Sequence, residues 1–197
     1  MNTLEKYINV MIDKTGFWGA SNAHSHHYYS KNVSNWIVSY LKDHKESPIY
    51  DFGCGMGDYL SHLNSEGFSD ILGLEGDPPK YYDSFKINKQ NLAEPFLLEK
   101  KGVIISLEVG EHIPQEYEKI FLENLYNNCS SLLIISWAVR GQGGYGHFNE
   151  LNNDEIIPKI ESFGFKYLKE VSEDARKTPE DACSYFRNTL MIFEKNG

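Results

Sequence analysis

The sequence has 197 residues, of which 41% are hydrophobic and 14% aromatic, so it can bury the core of one domain. Its formal net charge is −9, from 19 basic and 28 acidic residues, and it has no run of Lys or Arg. This composition argues against a nucleic-acid partner bound through its phosphate backbone. The three cysteines are widely spaced and predict neither a disulfide framework nor a zinc knuckle.

The charge of the N-terminal segment and the length of the apolar runs indicate the cellular location of the protein. Residues 1–13 carry too many charges for a secretory signal peptide, and no apolar run approaches the length of a membrane span. Unpaired cysteines suit a reducing compartment. We therefore expect a soluble, cytoplasmic protein with no membrane partner.

Two helices separated by a loop are predicted at the N-terminus. Apolar residues recur at helical spacing from Leu4 to Ile12, and again on one face of residues 31–45. The intervening residues 17–29 have no period and predict a loop, whose aromatic side chains are candidates for lining a substrate pocket: Trp18, Tyr28 and Tyr29. The histidines of this loop lack the nearby carboxylate or cysteine that would complete a metal site: His24, His26 and His27.

Residues 48–65 predict a strand, a tight turn and a helix. The strand ends at Asp51 and Phe52, and glycines then occupy alternate positions: Gly53, Gly55 and Gly57. Glycine allows a sharp turn with positive φ and a close approach of a ligand to the backbone. A dinucleotide-binding turn reads G-x-G-x-x-G, but here Asp58 takes the place of its third glycine. Asp51 would repel a pyrophosphate and attract a cationic ligand.

The next predicted strand, residues 70–77, carries an acid near its end. Glu75 lies 22 residues after Gly53. In doubly wound sheets an acid about 20 residues beyond the glycine turn accepts hydrogen bonds from the ribose hydroxyls of an adenosine. The turn and Glu75 together predict a ligand that contains adenosine.

The rest of the chain alternates strands and helices. Residues 83–90 predict a poor strand, whereas residues 102–108 and 131–139 are continuous apolar runs typical of buried parallel strands. Helices are predicted from Tyr117 to Tyr126 and over 153–163, followed by strands near 165–171 and 185–194 and an exposed connection between them. This order predicts an α/β fold with a doubly wound sheet. Ligands bind such sheets beyond the carboxyl ends of the strands, where the glycine turn, Glu75, Asn91 and two later loops should converge.

The pattern D-x-G-x-G-x-G at residues 51–57 resembles motif I of the class I S-adenosylmethionine-dependent methyltransferases. The resemblance extends from about Pro48 to Glu194. It implies a mostly parallel seven-stranded sheet with helices on both faces and an antiparallel strand near the C-terminus. It also implies one methyltransferase domain, 1–197, in which residues 1–46 form a helical cap and residues 47–197 the cofactor-binding core.

The resemblance implies a methyltransferase that uses S-adenosylmethionine. In this family an aspartate accepts a bond from the adenine amino group at the position that Asn91 occupies here, and an amide oxygen can accept the same bond. The residues expected to bind the cofactor are Asp51, Gly53, Cys54, Gly55, Gly57, Glu75, Gly76, Asn91, Leu92 and Glu108.

Residues 108–112, Glu-Val-Gly-Glu-His, are similar to the E-V-x-E-H segment of the small-RNA 3′-terminal 2′-O-methyltransferases. In that group two carboxylates and a histidine, joined by a later histidine, hold a magnesium ion, and four residues match in type and order: Glu108, Glu111, His112 and His147. A very similar segment occurs in small-molecule O-methyltransferases of the ubiquinone-biosynthesis-like group. The acidic balance of the chain favours a small acceptor, and the resemblance leaves a divalent cation such as Mg²⁺ open.

Methyl transfer is an in-line displacement, so the enzyme aligns a nucleophile, excludes water and, for a hydroxyl or protonated amine, removes a proton. The expected catalytic residues are His147, His112 and Glu111. The loop at residues 141–149 contains four glycines and two aromatic residues, and we expect it to close over the acceptor. Further expected substrate contacts are Trp137, Tyr145 and Asn149.

The leading hypothesis is methyl transfer to an O or N atom of a small molecule. One alternative is a metal-dependent RNA 2′-O-methyltransferase. A second alternative, favoured by the departure at Asn91, is a regulatory protein that binds S-adenosylmethionine without turnover.

Overall fold

The computed structural model describes residues 12–19, 28–78 and 85–197. The first predicted helix, apart from its last residue Ile12, and the three loop histidines His24, His26 and His27 lie outside the described residues.

A seven-stranded sheet forms the centre of the fold, in the order β3-β2-β1-β4-β5-β7-β6. Its strands are β1 (Ile49–Phe52), β2 (Ile71–Glu75), β3 (Lys86–Lys89), β4 (Gly102–Ser106), β5 (Cys129–Ser136), β6 (Phe165–Tyr167) and β7 (Leu190–Lys195). The first five pair in parallel, and β7 runs antiparallel to both β5 and β6. The predicted sheet is confirmed, and its strand order reverses between β1 and β4.

Helices cover both faces of this sheet. They are α1 (Lys31–Tyr40), α2 (Asp58–Ser65), α3 (Glu118–Asn128), α4 (Asn153–Ser162), α5 (Lys169–Ala175) and α6 (Phe186–Thr189). Phe121 and Ile156 pack into the hydrophobic cluster of one face, and Ile37 and Leu60 into that of the other. Among the residues described, none of the helices combines the length and the apolar character that a membrane crossing requires.

The N-terminal helix α1 illustrates how the sequence fixes an element. Ser30 caps it, because its Oγ accepts a hydrogen bond from the N–H of Val33 at 3.2 Å. Val33 and Ile37, at helical spacing, are buried against the sheet. The helix ends at Tyr40, and a short 3₁₀ turn covers the last residues of the predicted helix.

The C-terminal region corrects two predicted strands. The strand expected at 165–171 ends at Tyr167, because Leu168, Val171 and Ala175 recur at helical rather than alternating spacing and pack as one face of α5. The strand expected at 185–194 begins only at Leu190, after the short helix α6. Strands β6 and β7 still pair antiparallel, but helices and turns join them instead of a loop alone.

Candidate active site

A cavity of about 720 Å³ lies at the carboxyl ends of β1, β2 and β4, next to the point where the strand order reverses. That is where an open α/β sheet binds ligands. Most of the residues predicted from the sequence line it: Trp18, Tyr28, Tyr29, Asp51, Gly53, Cys54, Gly55, Glu75, Gly76, Asn91, Leu92, Glu108, His112, Tyr145 and His147.

The glycine turn and Glu75 form one unit of the cavity wall. Gly53, Gly55 and Gly57 have φ values of 79°, 53° and 76°, which side chains rarely tolerate. The N–H of Gly55 donates to Glu75 Oε2 at 2.9 Å, and the N–H of Gly76 donates to Oε1 at 2.7 Å. A carboxylate has about four lone-pair sites, so Glu75 keeps acceptor capacity for a ligand.

Asp51 stands at the end of β1 and is 3% exposed. Burial, followed by the nearby charge of Glu75, raises the pKa of Asp51 to about 8. Burial likewise raises the pKa of Glu75, although the backbone N–H groups of Gly55, Gly76 and Asp77 oppose the shift. Two neighbouring carboxylates with raised pKa values are stabilised in their charged form by a cation.

Asn91 lines the cavity. Its Oδ1 accepts from the N–H of Ala93 at 3.0 Å, and its Nδ2 donates to Glu94 at 3.2 Å. Oγ1 of Thr15 lies 3.4 Å from this oxygen, but the single hydroxyl hydrogen of Thr15 is directed to Oδ1 of Asp13 at 2.5 Å. Oδ1 of Asn91 therefore keeps a lone pair that an adenine amino group could use, and the cofactor role of Asn91 stays a prediction.

A cluster of three metal-ligating side chains lies toward the other end of the cavity. Two of them, His112 and His147, line the cavity, whereas Glu111 does not. Glu111, His112 and His147 can each present a ligand atom within 4.8 Å of the other two. Glu111 is fully buried, and neither of its carboxylate oxygens has a hydrogen-bond partner among the described residues. The N–H groups of Glu111 and Ala138 lie near the carboxylate without reaching hydrogen-bond geometry. Burial, and then the charge of Glu108, raise the pKa of Glu111 well above its usual range.

An orphaned buried carboxylate beside two imidazoles fits a divalent cation. Uncompensated buried charge is costly, and a bound cation removes that cost. Imidazole and carboxylate are also ordinary ligands for Mn²⁺, Zn²⁺ and related ions. A metal ion is therefore suited by the donor types and the separation of Glu111, His112 and His147. It is also suited because the carboxylate of Glu111 has no hydrogen-bond partner among the described residues.

Glu108 is held apart from this cluster. Its Oε2 accepts from Gln142 at 2.7 Å and its Oε1 accepts from Thr189 at 3.0 Å, while its own N–H donates to Ser136. Among the described non-glycine residues it alone has a positive φ, of 53°. Such strain persists only where the surroundings fix the residue, and it is frequent at functional sites.

Glu150, which is not among the residues predicted from the sequence, holds the glycine-rich loop at residues 141–149 by hydrogen bonds. The N–H groups of Gly141 and Gly143 donate to its two carboxylate oxygens at 2.8 and 2.7 Å, and Nδ1 of His147 lies 2.9 Å from Oε1. Burial alone would raise the pKa of Glu150, but these hydrogen bonds hold it below its usual range.

Trp137 and Asn149, both predicted to touch the substrate, are core residues in the structure. Trp137 is 0% exposed, and its Nε1–H donates to the backbone oxygen of Asn149 at 2.6 Å. The side chain of Asn149 donates to Glu118 at 2.9 Å and is 7% exposed. They anchor the end of the loop to the core, and neither lines the cavity.

Several aromatic rings line the cavity. The ring of Trp18 lies 5.0 Å from that of His112 and 5.8 Å from that of Tyr145, both edge to face. Tyr29 packs similarly against Tyr59 at 5.1 Å. Tyr59 and Tyr185 also line the cavity but were not predicted, because Tyr59 was assigned only to a helix and Tyr185 to a strand.

The charged groups of the cavity are acidic. The described residues that line it include no Lys or Arg, although they include five acids: Asp51, Asp58, Glu75, Asp77 and Glu108. An anionic ligand would find no side-chain cation in this part of the wall. The electrostatics favour a ligand that is neutral or positively charged.

No family model matches this sequence. No curated protein matches it either. Solved structures do share its architecture. Magnesium protoporphyrin IX methyltransferase (ChlM) from Synechocystis PCC 6803, with bound SAM, is 15% identical over 90% of each chain, with a TM-score of 0.61.

Two further solved structures show the same likeness. The sugar N-methyltransferase KedS8 from Streptoalloteichus sp ATCC 53650 is 12% identical, over 85% of this chain and 88% of that one, with a TM-score of 0.64. The methyltransferase domain of bacterial CtHen1 is 16% identical, over 84% of this chain and 98% of that one, with a TM-score of 0.58. At these identities the comparison establishes the fold, which is the Rossmann-like methyltransferase fold.

Proposed function

We propose that this protein transfers a methyl group from S-adenosylmethionine to an O or N atom of a small molecule. The observation that carries the proposal is that one cavity joins two unrelated kinds of site. At one end are Asp51, Gly53, Gly55 and Glu75, and at the other are His112 and His147, which form a cluster with the buried Glu111. A cofactor-binding end facing a proton-accepting or metal-binding end is the arrangement that methyl transfer needs.

At the cofactor end, each group matches a part of S-adenosylmethionine. The open backbone at Gly53 and Gly55 admits the methionine portion, since a ligand can approach where there is no Cβ. The carboxylate of Asp51 favours a ligand that carries an amino group and a sulfonium. The remaining acceptor capacity of Glu75 suits a hydroxyl of a ribose.

At the acceptor end, Glu111, His112 and His147 would hold a divalent cation. When bound, such an ion acts as a Lewis acid that lowers the pKa of a hydroxyl on the acceptor. The chain's own contribution is to orient the acceptor between aromatic rings and to keep out water. If no ion is required, an imidazole nitrogen of His112 or His147 accepts the acceptor's proton.

The acceptor is better matched by a small molecule than by RNA. The described cavity wall has no Lys or Arg, and the chain carries a net charge of −9. RNA 2′-O-methylation is the second candidate. It is favoured by the grouping of Glu111, His112 and His147, which follows the residue order of the small-RNA methyltransferases.

The proposal is tested with isotopically labelled S-adenosylmethionine, a metabolite extract and mass spectrometry. We expect a labelled small molecule whose formation stops on chelation and resumes with Mg²⁺ or Mn²⁺. If turnover were insensitive to the chelator, a metal ion would not be needed and a histidine would be the base. Methylation of a 3′-terminal RNA 2′-hydroxyl, with no labelled metabolite, would support the second candidate.

Tight cofactor binding with no labelled product from either source would contradict methyl transfer and support a regulatory role. A matched control for contaminating enzymes is a His147→Ala preparation purified in the same way. We expect this variant to lose most turnover with nearly unchanged cofactor affinity, since the cofactor is held at other strand ends.

A further inference from the structure

Two hydrogen bonds fix how the two histidines of the cluster present their rings. Nδ1 of His112 lies 3.0 Å from the backbone oxygen of Gly146, and Nδ1 of His147 lies 2.9 Å from Oε1 of Glu150. A carbonyl oxygen only accepts, so Nδ1 of His112 must carry a hydrogen. A carboxylate that already accepts a backbone N–H on each of its oxygens is likewise an acceptor toward the ring of His147.

The consequence is that both rings adopt the same tautomer. With hydrogen on Nδ1, the lone pair of each neutral imidazole is on Nε2. Both partners belong to residues 141–150, so one loop controls both rings. Without these bonds, a neutral imidazole favours hydrogen on Nε2. The lone pair would then be on Nδ1, and Nε2 could bind neither a proton nor a metal ion.

Glu150 also links the ring to the loop backbone. Its carboxylate accepts from the N–H groups of Gly141 and Gly143 as well as from His147. Its side chain is 18% exposed and that of His147 is 11% exposed, so the contact is largely shielded from water. The loop cannot move far from Glu150 without releasing the ring.

We propose that Glu150 is a positioning residue that acts through His147, holding the ring in the Nδ1–H tautomer with Nε2 available to the reaction site. The inference rests on the proposed function, because it assigns His147 a role at the acceptor end. A carboxylate that accepts a hydrogen bond from Nδ1 of a metal-binding or proton-accepting histidine fixes the orientation of the ring. It also makes the opposite nitrogen, Nε2, a better base.

The direct test is the tautomer of His147 in the metal-free, cofactor-free protein, read from long-range ¹H–¹⁵N correlation spectra of the imidazole nitrogens. The signals are assigned by their loss in His147→Asn. We expect hydrogen on Nδ1 in the wild type and a shift toward hydrogen on Nε2 in Glu150→Ala, with Glu150→Gln in between because it keeps one acceptor oxygen. A wild-type ring with hydrogen on Nε2 would overturn the proposal whether or not any variant folds.

A second readout is Mn²⁺ binding, measured by the loss of the free-ion electron paramagnetic resonance signal. We expect Glu150→Ala to weaken binding by about 10- to 100-fold, as is usual when such a partner is removed. The matched control is Glu155→Ala, which removes a carboxylate that holds the same loop through Arg140 but does not touch the histidine. Equal effects of the two variants would overturn the positioning role.

The two readouts separate this inference from the proposed function. If the wild type binds no Mn²⁺ but has the expected tautomer, the metal part of the proposed function fails and the role of Glu150 stands. If Mn²⁺ binds tightly and the ring keeps hydrogen on Nδ1 in Glu150→Ala, the role of Glu150 fails and the metal site stands.

Discussion

At the scale of single residues, two neighbouring carboxylates set the chemistry of the cofactor end. Asp51 is buried and Glu75 beside it is half-buried, and each has a raised pKa. Around neutral pH the unliganded protein therefore holds Asp51 mostly protonated, since its pKa is about 8. A positively charged ligand reverses this preference, because it stabilises the carboxylate.

Cofactor binding should consequently release a proton. Below about pH 8 the affinity for S-adenosylmethionine should rise with pH, and above it the affinity should level off, because Asp51 is then ionised before the ligand arrives. Calorimetry in buffers of different ionisation enthalpy measures the released proton. Asp51→Asn keeps the size of the side chain and should bind with weaker affinity and no such release. Equal proton release by wild type and Asp51→Asn would show that another group titrates.

At the scale of elements, the loop between β5 and α4 determines where the acceptor end can form. Phe148 and Asn149 donate their N–H groups to the backbone oxygen of Glu111 at 2.8 and 2.9 Å. The loop thus lies against the segment that supplies Glu111 and His112. Closure over an acceptor stays a prediction, and these bonds confine the movement to residues 141–147.

Gly144 offers a small change to test this loop. A Cβ there would overlap the ring of His147 around Nε2, and the ring is the end of a flexible side chain that can swing away. We expect Gly144→Ala to lower turnover at least 10-fold, because a misplaced catalytic group costs orders of magnitude. Melting temperature and cofactor affinity should change little. Turnover close to that of the wild type would show that the position of this ring is unimportant.

The sequence locates the glycine turn and Glu75 at one wall of the cavity because its signals are local. Gly53, Gly55 and Gly57 follow an apolar strand directly, and Glu75 ends the next strand, so strand order alone brings them together. Glu150 gave no such signal, because an acid after a loop is ordinary until its contacts with His147 and the glycine N–H groups are seen. The substrate contact predicted for Trp137 was wrong because the sequence signal is ambiguous. An aromatic residue at a strand end can point either into the cavity or into the core.

At the scale of the whole molecule, residues 12–19 bridge the two ends of the cavity. Ile12 pairs with Trp18, so the segment folds back on itself. Gly16 packs against the backbone of His112, and Phe17 packs against Gly76, where in each case a Cβ on the glycine would collide. Residues 12–19 therefore contact both the cofactor end and the acceptor end. The helical cap expected over residues 1–46 stays a prediction.

Binding of S-adenosylmethionine by the glycine turn and Glu75 is tested most directly by calorimetric titration of that cofactor into wild type and Glu75→Gln. The amide keeps the shape of the side chain but replaces an acceptor oxygen by a donor, so we expect affinity to fall roughly 10- to 100-fold, as for the loss of a buried hydrogen bond to a charged group. Glu99→Gln, which changes an exposed acid, is the matched control and should bind like the wild type. No binding by the wild type, or equal binding by Glu75→Gln, would contradict the account.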